Sequence, residues 1–238
     1  MPVPDAASNA GAPTSQSSMS WSHTSTGSNL ILIVSVHLRQ NGSTTVQSIT
    51  HNSVSLTQVP GAIATNAGNT RSEIWKLANP ATGSKTILVT LTAAEESTAG
   101  AMTYTGAATE ASGGAGSTGN SNSPSVTITS TSSSLAFGGY GQSGGNATST
   151  PDGTERYDLA DANLSVAGDD KTGAASVTVN PTSNKSSKWA MVGCSIDPSG
   201  TTASEIMSSQ YISPSLLRPR PPKMIPSGTM RGKNPVVT

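Results

Sequence analysis

Residues Asn29 to Gln40 read NLILIVSVHLRQ, and the rest of the chain is arranged around them. In an extended backbone successive side chains point to opposite faces. Leu30, Leu32, Val34, Val36 and Leu38 therefore share one face, and Ile31 and Ile33 the other, which Ser35, His37 and Arg39 continue towards water. A strand with one solvated face would alternate throughout. This stretch is apolar on both faces at its start, which predicts a central strand of a packed sheet. Its β-branched content and the flanking Gly27-Ser28-Asn29 and Asn41-Gly42-Ser43 turn residues weigh against a buried helix.

Composition points the same way. The chain has 238 residues, 33% hydrophobic and 3% aromatic, with a single Phe and 24 Gly. Ser and Thr make up roughly 30% of it. Ser and Thr compete with the helix for backbone hydrogen bonds and Gly costs backbone entropy, so short strands joined by tight turns are favoured over long helices. Strands are expected at 19–23, 30–38, 46–50, 54–59, 71–77, 86–91, 101–105, 125–129, 135–140, 155–158, 175–179 and 188–197. His51-Asn52-Ser53 and Asn79-Pro80-Ala81-Thr82-Gly83 read as turns, and 61–69 and 111–123 as loops. Twelve such short stretches at near-regular spacing, read as a fold of about ten or eleven strands, make an all-β protein, an antiparallel β-sandwich of jelly-roll type. The expected organisation is an N-terminal arm (1–15), a sandwich domain (16–198) and an extended, basic, Pro-rich tail (199–238).

Charge is uneven along the chain. It sums to zero over 13 basic and 13 acidic residues. No acid follows Glu205, whereas Arg218, Arg220, Lys223, Arg231 and Lys233 do. The stretch beyond Glu205 therefore carries +5 and the rest of the chain −5. Those five cations are the expected partner-binding residues, facing an acidic protein surface. Nucleic acid is not expected as a partner, because the body is acidic and the tail has no interleaved aromatics beyond Tyr211. The start, MPVPDAASNAGAPTS, has neither a basic nor an apolar region of signal-peptide type, and no apolar run reaches transmembrane length. The expectation is a soluble protein made in a host cytoplasm without a signal peptide.

The search for reactive groups yields little. His23, His37 and His51 are flanked by Ser, Thr or Asn, have no metal-ligand spacing, and read as surface or strand-edge residues. Neither a GxSxG elbow nor a phosphate loop is present; GGYGQSGG at 138–145 lacks the Lys-Ser/Thr that a phosphate loop requires. Cys194 reads as a buried, inert thiol. The acidic stretch Asp152, Glu155, Asp158, Asp161, Asp169 and Asp170 is the one candidate metal site, for calcium, though its spacing matches no defined calcium loop. No other cofactor is expected. For carbohydrate, which needs aromatic platforms, Trp75 and Trp189 read as core, leaving Tyr140 and Tyr157 as the candidate ligand aromatics.

The order SWSHT (20–24), RSEIWKLANPATGSKTILVTL (71–91), a Gly/Ser loop, TERYD (154–158) and KWAMVGCSIDP (188–198) resembles β-sandwich modules of phage virion proteins and bacterial surface proteins, capsid decoration proteins among them. The resemblance covers about 15–198. It implies a jelly-roll-like fold, no enzymatic activity and no catalytic residues. It also implies a structural role on a virion, with capsid or other virion proteins as partners and self-association into a homo-oligomer. A carbohydrate-binding adhesin or tail-fibre module, with a host-surface glycan as ligand, is the alternative.

Overall fold

The computed structural model describes residues 1–40 and 43–200, which contain seventeen strands and no helix. In chain order these are β1 Val3–Asn9, β2 Thr14–Ser25, β3 Ile31–Leu38, β4 Val46–His51, β5 Val54–Ser55, β6 Thr57–Asn66, β7 Thr70–Ala78 and β8 Gly83–Thr105. Then follow β9 Ala107–Ser121, β10 Val126–Thr129, β11 Leu135–Ser143, β12 Ser149–Thr150, β13 Thr154–Ala160, β14 Leu164–Thr172, β15 Ser176–Val179, β16 Thr182–Ser183 and β17 Ser187–Pro198. Every pairing is antiparallel.

The first eight strands form one sheet, with β3 between β7 and β8. All eight residues of β3 are buried. Six of them are apolar with no exposed surface, and their burial contributes on the order of 10 kcal/mol before chain entropy is counted. The sheet is organised by the 23-residue β8. Its first half, 83–91, pairs with β4 and with β2 from Ser18 onward, and its second half, 97–105, with β1 and β3, the start of β2 reaching 95–97. Ile87, Val89 and Leu91 from the first half share one core with Ala99 and Ala101 from the second and with Leu32, Val34, Val36 and Leu38 of β3. A flat sheet could not bring these residues together. The sheet folds over at the middle of β8 and is nearly closed and barrel-like.

The opposite face of β3 meets a second sheet, ordered β13-β14-β11-β17-β9. Ile31, Ile33, Ile74, Met102 and Tyr104 pack there against Phe137, Tyr157, Val166, Val192, Cys194 and Ile196. The β10–β15 pair covers the outer side of this sheet through Ile128, Val177 and Val179 against Tyr140, Trp189 and Met191. Ser35 and His37, expected to face water, are fully buried because the second sheet lies over them.

Three other expectations change. Residues 1–15 are not a free arm: β1 and the start of β2 pair with β8. Segments 61–69 and 111–123 are largely strand, in β6 and β9. Backbone pairing needs no apolar side chain, so polar or glycine-rich strands give no periodic signal. In β9 the glycines are needed for close approach. A Cβ on Gly114 would lie 2.1 Å from the Pro60 carbonyl oxygen, and one on Gly116 2.0 Å from that of Ile63. The separate strands expected at 86–91 and 101–105 are one continuous β8. The expected turns do form. Asn52 and Ser53 both have positive φ and close the β4–β5 hairpin, and Asn79 and Gly83 bracket the turn into β8.

Candidate functional site

One cluster of buried polar groups lies between the two large sheets. Tyr157 enters from β13 and its ring lies against three glycines. A Cβ would stand 2.1 Å from the ring at Gly100 and 2.5 Å at Gly168, and 2.8 Å from the hydroxyl at Gly139. Gly139 belongs to the glycine-rich 138–145 run, so these glycines make room for a ring. The Tyr157 hydroxyl lies 2.9 Å from His37 Nε2 and contacts Ser35 Oγ. His37 Nδ1 is 2.8 Å from Ser72 Oγ, which donates to the Ala190 carbonyl at 2.8 Å. Donor counting orders the chain. Ser72 gives its proton to the carbonyl and so accepts from His37 Nδ1–H. His37 Nε2 therefore accepts from Tyr157, and Tyr157 accepts from Ser35. Burial holds the His37 imidazole neutral, with its pKa lowered to about 3, and pushes the Tyr157 hydroxyl well above its usual range.

A second cluster surrounds His23. Its Nδ1 lies 2.7 Å from Ser8 Oγ, which also accepts from Trp21 Nε1 at 2.9 Å. Its Nε2 lies 2.6 Å from Thr103 Oγ1, itself 3.0 Å from Ser25 Oγ. A serine thus contacts a histidine, but a threonine hydroxyl stands where a triad would have a carboxylate. Asp5 turns away to accept from the Thr26 backbone N–H at 2.7 Å. Burial, and then the nearby His51, lower the His23 pKa to about 4. The His51 ring sits edge-on to His23 with centroids 6.5 Å apart, and both its nitrogens are buried without a hydrogen-bond partner. All three histidines are at most 1% exposed, which corrects their reading as surface residues.

The acidic stretch is divided among separate contacts. Asp170, 3% exposed, accepts two bonds from Arg156, each 2.8 Å, and one from the Tyr104 hydroxyl at 2.9 Å. Asp169 accepts from the Asp152 backbone N–H at 2.9 Å, and burial raises its pKa to about 6. Asp152 pairs with Lys171 at 2.7 Å. Asp161 accepts from the backbone N–H groups of Asn163 and Leu164. Asp158 accepts from the Ser149 N–H at 3.0 Å. Glu155 lies exposed at the start of β13. Among the described residues no three His, Cys, Asp or Glu side chains converge as a metal site, so the calcium expectation has no geometry behind it.

Two surface depressions among the described residues are large enough to consider. One, of about 380 Å³, is bordered by Pro4, Leu135, Arg156, Asp170 and Lys171. Its cations are already engaged by Asp170 and Asp152. The other, of about 430 Å³, is lined by Thr50, Asn52, Ser53, Ser84, Thr86 and Leu88, with Lys85. Neither contains an aromatic side chain. Tyr140 and Tyr157, expected as exposed ligand aromatics, are 1% and 4% exposed and belong to the cores. Trp189 is core as expected, and Trp21 and Trp75 are half-buried. Cys194 is buried, and its thiol pKa is pushed up to about 12 by burial and then by Asp197. The expected partner-binding residues Arg218, Arg220, Lys223, Arg231 and Lys233 lie outside the described residues.

Sequence reasoning missed Glu73. This 2% exposed carboxylate accepts from Arg71 Nε at 2.6 Å, Gln58 Nε2 at 2.9 Å and Trp75 Nε1 at 3.1 Å. The alternation Arg71-x-Glu73-x-Trp75 was the available signal, since it places all three on one strand face. No helix is long and apolar enough to cross a membrane among the described residues. In comparisons with known proteins, no family model, curated protein or solved structure matches this chain.

Proposed function

We propose that this chain is a structural protein of a virion, a phage capsid decoration or cement protein, rather than an enzyme or a small-ligand carrier. The observation that carries the reading is where the chemistry-bearing side chains go. The Ser35–Tyr157–His37–Ser72 relay ends on a backbone carbonyl, and the Arg156–Asp170 and Arg71–Glu73 pairs are closed within the fold. Such groups are satisfied inside the fold and leave little for a substrate. The layering of the two large sheets supports the finer reading of a sandwich of jelly-roll type, which the resemblance to phage modules also implies.

On this reading the body is a stiff platform. The five tail cations meet acidic patches on neighbouring shell subunits, and prolines reduce the entropy lost when the tail docks. Homo-oligomerisation and location on the virion belong to the same proposal. The test is co-sedimentation of the full chain with undecorated shells from its source, at low and high salt. The comparison is a variant with Arg218, Arg220 and Lys223 changed to Glu. Binding that weakens with salt and is lost in the variant supports the reading. Absence of binding by the unaltered chain at either salt concentration refutes it.

A further inference from the structure

The edges of the sheets are not treated alike. An unpaired strand edge presents a row of free N–H and C=O groups, and folded proteins blunt such edges with charge, proline, bulges, shortness or cover. β1 carries Pro4, Asp5 and a bulge between Pro4 and Ala6. β13 carries Glu155, Arg156 and Asp158 with a bulge between Glu155 and Tyr157. β6 and β9 cover each other, the glycines of β9 lying on the carbonyls of β6. β5, β12 and β16 have two residues each, and β10 and β15 four.

β2 is the exception among the described strands. It has 12 residues and pairs with β8 alone among the described strands, so no described strand lies on its other edge. The stretch 14–25, TSQSSMSWSHTS, contains no Asp, Glu, Lys, Arg or Pro. Its one bulge lies between Gln16 and Ser18, so the pairing with β8 is regular from Ser18 to Ser25. Ser18, Ser20, Ser22 and Thr24 are exposed on the outer face, and Trp21 is half-buried on the inner one.

We propose that β2 is the dimerisation edge of this protein and pairs antiparallel with β2 of a second copy across a two-fold axis. The occupant follows from self-complementarity. Only an even register keeps core-facing residues opposite core-facing residues. Centred on Trp21, that register sets Ser18 against Thr24 and Ser20 against Ser22 on the outer face, and Met19 against His23 and Trp21 against Trp21 on the inner one. No like charges meet, and the outer pairs are all small hydroxyls that hydrogen-bond across strands. About eight backbone hydrogen bonds form and the two sheets continue through the axis. The inference names a contact for the homo-oligomerisation of the virion reading, while the mass measurement and the shell-binding test can fail separately.

The experiment measures the mass of the full chain by light scattering at about 100 µM, far above the Kd of a micromolar complex. It compares the unaltered protein with the double variants Ser20→Lys/Ser22→Lys and Ser20→Glu/Ser22→Glu, all on the exposed face. Circular dichroism checks that each variant keeps its sheet. The unaltered chain should be dimeric, each variant alone should bind itself at least tenfold more weakly, and an equimolar mixture of the two should restore the dimer. Misfolding could not produce that rescue. A monomeric unaltered chain, a dimer indifferent to the lysines, or a mixture that fails to re-pair would each overturn the proposal.

Discussion

His37 offers the most direct test of how the layers are held. Its ring is fully buried, and its two nitrogens serve Tyr157 and Ser72 in the neutral form. In the unfolded chain it titrates at 6.5, and in the folded protein at about 3. The folded-state pKa is depressed, so below pH 6.5 the unfolded state binds the extra proton. Stability from this group is complete above pH 6.5 and is lost as pH falls towards 3. At pH 5 the loss is about 2 kcal/mol, and the full shift corresponds to about 5 kcal/mol. His23 acts in the same direction, and Asp169, raised to about 6, acts in the opposite one. The whole-protein pH profile therefore mixes opposing slopes. The informative quantity is the difference between the unaltered chain and His37→Gln. Urea unfolding followed by tryptophan fluorescence from pH 8 to pH 5 should show the stability gap between the two proteins narrowing by about 2 kcal/mol. Parallel profiles would mean that His37 binds its proton in the folded state and that the layers admit water there.

Other substitutions test neighbouring contacts. Tyr157→Phe keeps the ring but leaves Ser35 and His37 Nε2 without their buried partner, and should cost about 2–4 kcal/mol in urea unfolding with an unchanged m-value. Arg156→Ala leaves the Asp170 carboxylate buried with only the Tyr104 hydroxyl, and should cost about 3 kcal/mol, read as a lowered midpoint in the same assay. Cys194 should resist thiol reagents in the folded protein, its labelling rate following global unfolding; fast labelling in native buffer would contradict its enclosure between the sheets.

The sequence by itself determined the strand class, the central place of β3, the turns at Asn52-Ser53 and Asn79–Gly83, and the burial of Cys194 and Trp189. These are local properties, because alternation, β-branching and positive-φ residues act within a few positions of the chain. It misplaced Ser35, the three histidines, Tyr140 and Tyr157. A polar residue on an alternating strand looks solvated until a second layer brings it a partner, and Tyr157 is 122 positions from Ser35 and 120 from His37. It also hid β1, the second half of β6 and β9, whose place rests on backbone pairing and on close approach of glycine to carbonyl, neither of which leaves a hydrophobic period. Only the tertiary structure decided that β8 spans both halves of a folded sheet, that polar groups join the layers, and that β2, alone among the described strands, keeps a long, uncharged edge. All three depend on which distant backbones lie side by side, and no local pattern of side chains encodes that.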